Sequence, residues 1–185
     1  MKAGVLALQG DFREHAVMLA EAGATPVEVR NAAQLADVEC LVIPGGESTT
    51  ISKLARAFGL VAPIRARAAG GMPILGTCAG MILMARRVEG LEPLLELVDI
   101  GVQRNAYGRQ VDSFEADLAV GGIDHRVRGV FIRAPRITDV GPDVTVLAEH
   151  EGTPVLVEQG RMLVASFHPE LAGESALHSY LLEKV

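Results

Sequence analysis

Two short motifs could do chemistry together, and they lie 90 positions apart (78 to 168) in a chain of 185 residues. The first is Gly-Thr-Cys-Ala-Gly at residues 76–80, and the second is His168-Pro169-Glu170. A nucleophile between two glycines is typical of a sharp turn from a strand into a helix. Alternate side chains of an extended segment point to the same side, so the imidazole and the carboxylate can meet. Cysteine, base and carboxylate together predict acyl transfer through a thiol nucleophile.

Cys78 is the predicted nucleophile. A lone cysteine in an apolar protein is usually a small buried hydrophobic residue, which is the alternative interpretation. Gly76 and Gly80, however, permit a tight turn with close backbone approach. A strand is predicted before the turn and a helix after it, so the thiol is expected at a helix N-terminus, where N–H groups favour a thiolate. Cys40 is the other cysteine; it begins an apolar strand without flanking glycines and is interpreted as structural.

His168 is the predicted base because, among five histidines, it follows an apolar strand directly. The carboxyl edge of the sheet usually carries the site in α/β proteins. Pro169 restricts the backbone, and Glu170 is expected to accept from the ring and fix its tautomer. A solvated surface carboxylate is the alternative for Glu170. His15 and His178 are interpreted as residues on helix faces.

A glycine-rich segment, Gly-Gly-Glu-Ser-Thr at residues 45–49, follows another apolar strand. It predicts an oxyanion hole, in which the backbone N–H groups of Gly46 and Ala79 converge on the developing negative charge. A helix start capped by Ser48 or Thr49 is one alternative. A phosphate loop is not supported, because no Gly-Lys-Ser/Thr sequence is present. The metal-binding and dinucleotide-binding spacings are absent too, so no metal or cofactor is expected.

The elements that must position these motifs alternate in the first half of the chain. Strands are expected at residues 3–8, 25–29, 40–43 and 73–75. Helices are expected from residue 12, where Asp11 would be the cap and Glu14 its partner, and over 48–58, 63–69 and 79–86. The second half predicts strands at 98–102, 109–116, 130–132, 144–150, 154–158 and 162–167, and a closing helix over 177–182. This order predicts a single α/β domain over residues 1–185, with a mostly parallel sheet extended by antiparallel strands.

Composition argues against several classes of protein. The formal charge is −6 and no Lys/Arg cluster offsets it, which argues against nucleic-acid binding. No run of about 18 apolar residues predicts a membrane span, and the first residues lack the pattern of a secretory signal. Two cysteines argue against a disulfide framework and favour a reducing compartment, so a cytoplasmic location is expected.

Taken together, the motifs resemble the class I (triad) glutamine amidotransferases, and more closely the glutaminase subunits of pyridoxal 5′-phosphate synthase. The cysteine turn and the His-x-Glu pair are shared by the wider class. The more specific stretches are Leu-Gln-Gly-Asp at 8–11, Gly-Gly-Glu-Ser-Thr at 45–49 and Arg-Asn-Ala-Tyr-Gly-Arg-Gln at 104–110. The resemblance implies a flavodoxin-like three-layer α/β/α sandwich.

The resemblance also implies a role for each residue. Cys78 attacks the carboxamide of L-glutamine and forms a glutamyl thioester, His168 relays the proton, and Glu170 orients His168. The residues that it places around the glutamine are Gly45, Gly46, Glu47, Arg104, Ile132 and Arg133. A guanidinium suits the α-carboxylate of glutamine, and surface ion pairing is the alternative for the two arginines.

A partner is implied as well, namely a (β/α)8-barrel synthase subunit, with twelve copies of each subunit in one assembly and internal transfer of ammonia. Gln9 is implied to lie near that interface and to set the oxyanion peptide on docking. Two alternatives stay open. One is a flavodoxin-like protein that uses its cysteine for redox sensing or small carbonyl chemistry, which would need neither the His-x-Glu pair nor the glycine-rich segment. The other is the glutaminase half of a different amidotransferase, such as imidazole glycerol phosphate synthase.

Overall fold

The structure is a computed structural model that describes residues 1–104 and 113–185. Its strands in those ranges are β1 (Lys2–Leu6), β2 (Thr25–Val29), β3 (Cys40–Ile43), β4 (Ile74–Thr77), β5 (Ala85–Val88), β6 (Val98–Gln103), β7 (Phe114–Ala119), β8 (Arg126–Phe131), β9 (Arg136–Val140), β10 (Thr145–His150), β11 (Thr153–Gln159) and β12 (Met162–Ala165). Its helices are α1 (Phe12–Glu21), α2 (Ala32–Ala36), α3 (Ser48–Ala57), α4 (Val61–Ala69), α5 (Ala79–Met84) and α6 (Ala176–Leu182), with a short 3₁₀ helix at Glu170–Ala172.

The main sheet has seven strands in the order β10-β11-β12-β4-β3-β1-β2. Strands β2, β1, β3, β4 and β12 are mutually parallel, and their order is the 2-1-3-4-5 order of flavodoxin-like folds. Strands β11 and β10 extend this core in antiparallel pairing. The predicted mostly parallel sheet with an antiparallel extension is therefore confirmed.

The buried strands place alternate residues on the two faces of this sheet. In β3, Cys40 and Val42 belong to one hydrophobic core, whereas Leu41 and Ile43 belong to the other. The first core also contains buried residues of α1, α6 and the β7–β8 hairpin. The second contains buried residues of α2 to α5 and of the small β5-β6-β9 sheet. This is the three-layer α/β/α sandwich that the sequence predicted.

Several elements differ from the predictions at their ends or were not predicted. The helix predicted to reach residue 86 ends at Met84, because the chain continues as β5, which pairs with β6. The strand predicted at 109–116 lies partly outside the described residues, and β7 runs on to Ala119. Strands β5 and β9 both pair with β6, a contact that no local pattern reveals. The short α2 was also missed; the side chain of Asn31 caps it by accepting from the Gln34 N–H at 3.0 Å.

Both helix-cap predictions are wrong. Asp11 occupies the N-cap position of α1 but makes no side-chain cap hydrogen bond. Helix α3 is capped by Glu47, whose carboxylate accepts from the N–H groups of Thr49 and Thr50 at 3.0 and 2.7 Å. Ser48 and Thr49 lie inside α3 instead. In the described part of the chain, no helix has the length and apolar character that crossing a bilayer requires.

Candidate active site

The predicted site residues meet at the carboxyl edge of the parallel strands. Gln9 follows β1, Gly46 follows β3, Cys78 follows β4 and His168 follows β12. A cavity of about 380 Å³ opens at this edge. The sequence-predicted residues that line it are Gly46, Glu47, Cys78, Ala79, Arg104, Ile132, Arg133 and His168. Ligands of open α/β sheets bind at this edge, so the topology brings residues from four distant segments to one pocket.

Cys78 occupies the sharp turn between β4 and α5. Its φ of 48° and ψ of −103° are unusual for a residue with a side chain, and such a conformation costs about 1–3 kcal/mol. Two glycines allow the turn: a Cβ on Gly80 would lie 2.1 Å from the Ile43 carbonyl oxygen, and one on Gly76 would lie 2.6 Å from Met84 Sδ. The predicted strand–turn–helix arrangement around the cysteine is confirmed.

His168 and Glu170 are in direct contact. The Nδ1 atom of His168 lies 2.7 Å from Oε1 of Glu170, and both residues are almost fully buried. The prediction of an extended segment between them is wrong, because Pro169 has helical backbone angles (φ −68°, ψ −34°) and Glu170 begins the 3₁₀ helix. The backbone of His168 is held by β8 instead, since its N–H donates to the Val130 carbonyl at 2.8 Å.

Charge is concentrated on this pair. Burial alone would lower the pKa of His168, but the adjacent Cys78 side chain and Glu170 carboxylate outweigh it and raise that pKa to about 10. Burial would likewise raise the pKa of Glu170, but its contacts with His15 and His168 lower it to about 2. At neutral pH an imidazolium therefore lies between the Cys78 side chain and the Glu170 carboxylate.

We expect the His168→Gln variant to react with iodoacetamide at Cys78 about tenfold more slowly at pH 7, because an unassisted thiol is only a few per cent thiolate at that pH. The measurement is the labelling rate of Cys78, followed by mass spectrometry. His125→Gln is the matched control, since His125 is a histidine with a 63% exposed side chain outside the cavity. An unchanged rate in His168→Gln would contradict the assignment of His168 as the partner of the thiol.

The glycine-rich segment after β3 is held by the segment after β1. The Asp11 N–H donates to the Gly45 carbonyl at 3.1 Å. The N–H of Gly46 belongs to the same trans peptide as this carbonyl, and it therefore points in the direction opposite to the carbonyl oxygen. In the described part of the chain this N–H donates no hydrogen bond. The next peptide is fixed by Gln9, whose Oε1 accepts from the Glu47 N–H at 2.8 Å.

A second N–H group is available at Ala79, the first residue of α5, because the first turn of a helix leaves its donors without partners in the helix. Gly46 has a φ of 151°, which favours glycine, and both residues line the cavity beside Cys78. The two residues predicted to supply the oxyanion-hole donors therefore line the same cavity as Cys78.

These features can be compared with known proteins. A family model described as the SNO glutamine amidotransferase family matches residues 5–185. The chain belongs to this family. It is 54% identical over 193 residues to "Pyridoxal 5'-phosphate synthase subunit PdxT" of Acidothermus cellulolyticus, covering 100% of this chain and 93% of the relative. The protein of the same description from Pelotomaculum thermopropionicum is 55% identical over 186 residues, with 100% and 95% covered.

A solved structure described as a crystal structure of glutamine amidotransferase gives a TM-score of 0.94 at 49% identity, over 98% of this chain and 97% of that one. The resemblance predicted from the motifs, to the glutamine amidotransferases, is confirmed. Part of the family-specific stretch at 104–110 lies outside the described residues, which resume at 113.

Several residues predicted to surround the substrate of this SNO family member also make contacts with other residues of the site. Gly45 does not line the cavity; a Cβ there would lie 2.2 Å from Cε1 of His168, so it packs against the imidazole. Glu47 lines the cavity, but hydrogen bonds in the first turn of α3, above all from the Thr50 hydroxyl, lower the pKa of its carboxyl to about 2. Arg104 Nη2 lies 3.7 Å from Glu47 Oε1. Arg133 has a left-handed φ of 46°.

Three polar residues next to the site were missed from the sequence. Asp11 lines the cavity and its Oδ2 lies 3.5 Å from His168 Nδ1; burial, the largest effect, raises the pKa of this carboxyl. Asp11, His168 and Glu170 have possible metal-ligand atoms within 4.8 Å of one another, but the hydrogen bond between His168 and Glu170 already accounts for two of them.

The other two residues that were missed are His15 and His178, both fully buried. Asp11 belongs to the family-specific stretch at 8–11, which was the available signal, whereas no pattern in the sequence indicated His178.

Proposed function

We propose that this chain is the glutaminase subunit of a pyridoxal 5′-phosphate synthase. It hydrolyses L-glutamine to glutamate and ammonia and delivers the ammonia to the synthase subunit. The observation that carries the proposal is that His168 lies between the side chains of Cys78 and Glu170 at one edge of the sheet. This triad lies in a chain that is 54% identical over its full length to a relative described as a pyridoxal 5′-phosphate synthase subunit.

The first half of the reaction forms a thioester. The Cys78 thiolate attacks the carboxamide carbon, and the negative charge that develops on the oxygen is stabilised by the N–H groups of Gly46 and Ala79. Because Glu170 occupies Nδ1 of His168, the other ring nitrogen, Nε2, faces the reacting atoms. The imidazolium donates its proton to the departing nitrogen, ammonia leaves, and a glutamyl thioester remains on Cys78.

The second half hydrolyses that thioester. His168 is now neutral and accepts a proton from a water molecule, whose oxygen attacks the thioester carbon. The same two N–H groups stabilise the second tetrahedral intermediate. Its collapse releases glutamate and restores the thiolate–imidazolium pair, so the protein ends the cycle as it began.

Two arginines at the cavity suit the charged end of glutamine. Arg104 and Arg133 both line it, and a guanidinium recognises a carboxylate through paired hydrogen bonds. Ile132 supplies an apolar wall for the methylene groups, while Glu47 keeps the start of α3 in place. In the proposed complex the amide end of glutamine lies at Cys78 and its α-carboxylate lies at the arginines.

The proposed partner is a (β/α)8-barrel synthase subunit, in an assembly of twelve copies of each chain in the cytoplasm. The two hydrophobic cores share one central sheet, which supports a single domain over residues 1–185 as the unit of function. Gln9 holds the peptide next to Gly46. A partner that docks near Gln9 can therefore act on the oxyanion donors, which is a physical route to stimulation.

The test is ammonia release from glutamine by the chain alone and with its cognate barrel subunit. We expect weak release alone and at least about tenfold stimulation by the partner, because a change at the oxyanion donors is worth one to three powers of ten in rate. An unrelated (β/α)8-barrel protein is the control and should not stimulate. Full activity of the isolated chain would contradict the regulatory part, and no release in either condition would contradict the proposed function.

A further inference from the structure

Two buried histidines lie behind the triad. His15 is on α1 and His178 is on α6, and neither side chain is exposed to solvent. Nδ1 of His15 lies 2.8 Å from Nε2 of His178, although the residues are 163 positions apart. Burying a polar ring is costly unless it is hydrogen-bonded, so this contact holds both rings in place.

The second nitrogen of His15 faces the catalytic residues. Its Nε2 lies 2.9 Å from Oγ1 of Thr77, the residue before the nucleophile, and 3.4 Å from Oε2 of Glu170. At 3.4 Å the contact between His15 Nε2 and Oε2 is electrostatic rather than a hydrogen bond, and Oε2 accepts no hydrogen bond in the described part of the chain. The Glu170 carboxylate thus has His168 at one oxygen and His15 at the other.

The positions of the protons on the two rings follow from which neighbouring atoms can only accept a hydrogen bond. The carboxylate of Glu170 can only accept, so the His15 nitrogen that faces it must carry a proton for the contact to be favourable. His178 is neutral, because burial first and the neighbouring His15 ring next lower its pKa to about 3. A neutral imidazole at Nδ1 of His15 holds that ring by a hydrogen bond without competing for the carboxylate.

We propose that His15, held by His178, is a positioning residue for the glutaminase reaction: it restrains Oε2 of Glu170 and thereby keeps His168 aimed at Cys78. The inference rests on the proposed function. A carboxylate contacted at one oxygen only can rotate about the bond to its side chain, whereas the His15 ring beside Oε2 limits that rotation and keeps Oε1 in line with His168 Nδ1. His15 also contacts Thr77, so the same ring restrains the base and the strand end that carries the thiol.

A purely structural role would differ in its consequences. The His15–His178 contact also ties α1 to α6 in one layer, so losing it could simply loosen the packing of these helices. That loss would lower the unfolding temperature without a specific effect on kcat. Leu181 on α6 is a matched control, because it is fully buried in the same core and its aliphatic side chain cannot hydrogen-bond to a carboxylate.

The experiment compares His15→Leu, His15→Gln and Leu181→Ala in the complex with the barrel subunit. We expect His15→Leu to lower kcat about 10–100-fold, the usual cost of losing a residue that orients a catalytic group, with KM for glutamine unchanged. His15→Gln should recover most of this loss, since its amide nitrogen can take the place of Nε2. Leu181→Ala should lower the unfolding temperature and leave kcat near wild type.

A second readout does not depend on turnover. The proton NMR signal of His168 Nδ1–H should shift or broaden in His15→Leu but not in Leu181→Ala. Wild-type kcat and an unmoved signal in His15→Leu, or an equal loss of kcat in Leu181→Ala, would overturn the inference. Absence of ammonia release from the wild-type complex would instead overturn the proposed function, and the NMR signal would still decide the role of His15.

Discussion

Replacing Cys78 with alanine should abolish ammonia release from glutamine, with a loss of at least about 10⁴-fold in kcat, the scale seen when a nucleophile is removed from a covalent mechanism. In the proposed mechanism the sulfur forms the thioester, and the methyl group of alanine cannot do so. The fold should survive, because alanine fits the same turn and the side chain is small; we expect the free energy of unfolding to change by about 1 kcal/mol or less. The measurement is ammonia release by the complex under saturating glutamine.

Cys40→Ala provides the matched control for that variant. Cys40 is a fully buried cysteine of β3, and burial raises the pKa of its thiol to about 12, so it stays protonated. Its loss should leave turnover near wild type. Full activity in Cys78→Ala would contradict the thioester mechanism and return the cysteine to the redox or small-carbonyl interpretation.

Gly45→Ala should lower glutamine turnover by about 100-fold or more, although Gly45 carries no chemistry. An added Cβ would lie 2.2 Å from Cε1 and 2.9 Å from Nδ1 of His168. The imidazole must move to relieve this overlap, and a shift of about 1 Å in a catalytic group can cost about 10²-fold in rate. Ammonia release and the labelling rate of Cys78 with iodoacetamide should fall together, because both depend on the position of His168.

Gly121→Ala is the corresponding control, since a Cβ there would meet its nearest neighbour at 3.6 Å, an ordinary contact. Its activity should match wild type. Thermal unfolding of both variants separates a displaced imidazole from a damaged fold. Wild-type turnover by a folded Gly45→Ala protein would show that His168 tolerates displacement and would contradict the close-packing argument.

Local patterns were sufficient to predict the parts of the molecule that depend on neighbours in sequence. Apolar runs followed by glycines marked the ends of β3 and β4, and parallel strands carry those ends to one edge of the sheet. The turn at Cys78 was predictable because Gly76 and Gly80 are there for close packing. The mostly parallel sheet with its antiparallel extension also followed from the change from strand–helix alternation to consecutive strands, whereas the order of the strands was not predicted.

The remainder depends on contacts between distant segments. The carboxylate of Asp11 looked like a helix cap, yet it faces His168, which belongs to the opposite end of the chain. His15 and His178 looked like helix-face residues because nothing local shows that α1 and α6 pack in one layer beside Glu170. The contact between His168 and Glu170 was predicted, but from an extended backbone. The backbone instead turns at Pro169, and this turn brings the two side chains together.

The position of β12 has a consequence for biosynthesis. This strand lies between β4 and β11 in the sheet, and His168, which follows it, is translated 90 positions after Cys78 (78 to 168). A nascent chain therefore has no His168 beside its cysteine until β12 inserts next to β4. The pair of side chains that the proposed reaction needs is assembled only when the native sheet is complete, so an unfinished chain cannot hydrolyse glutamine by this route.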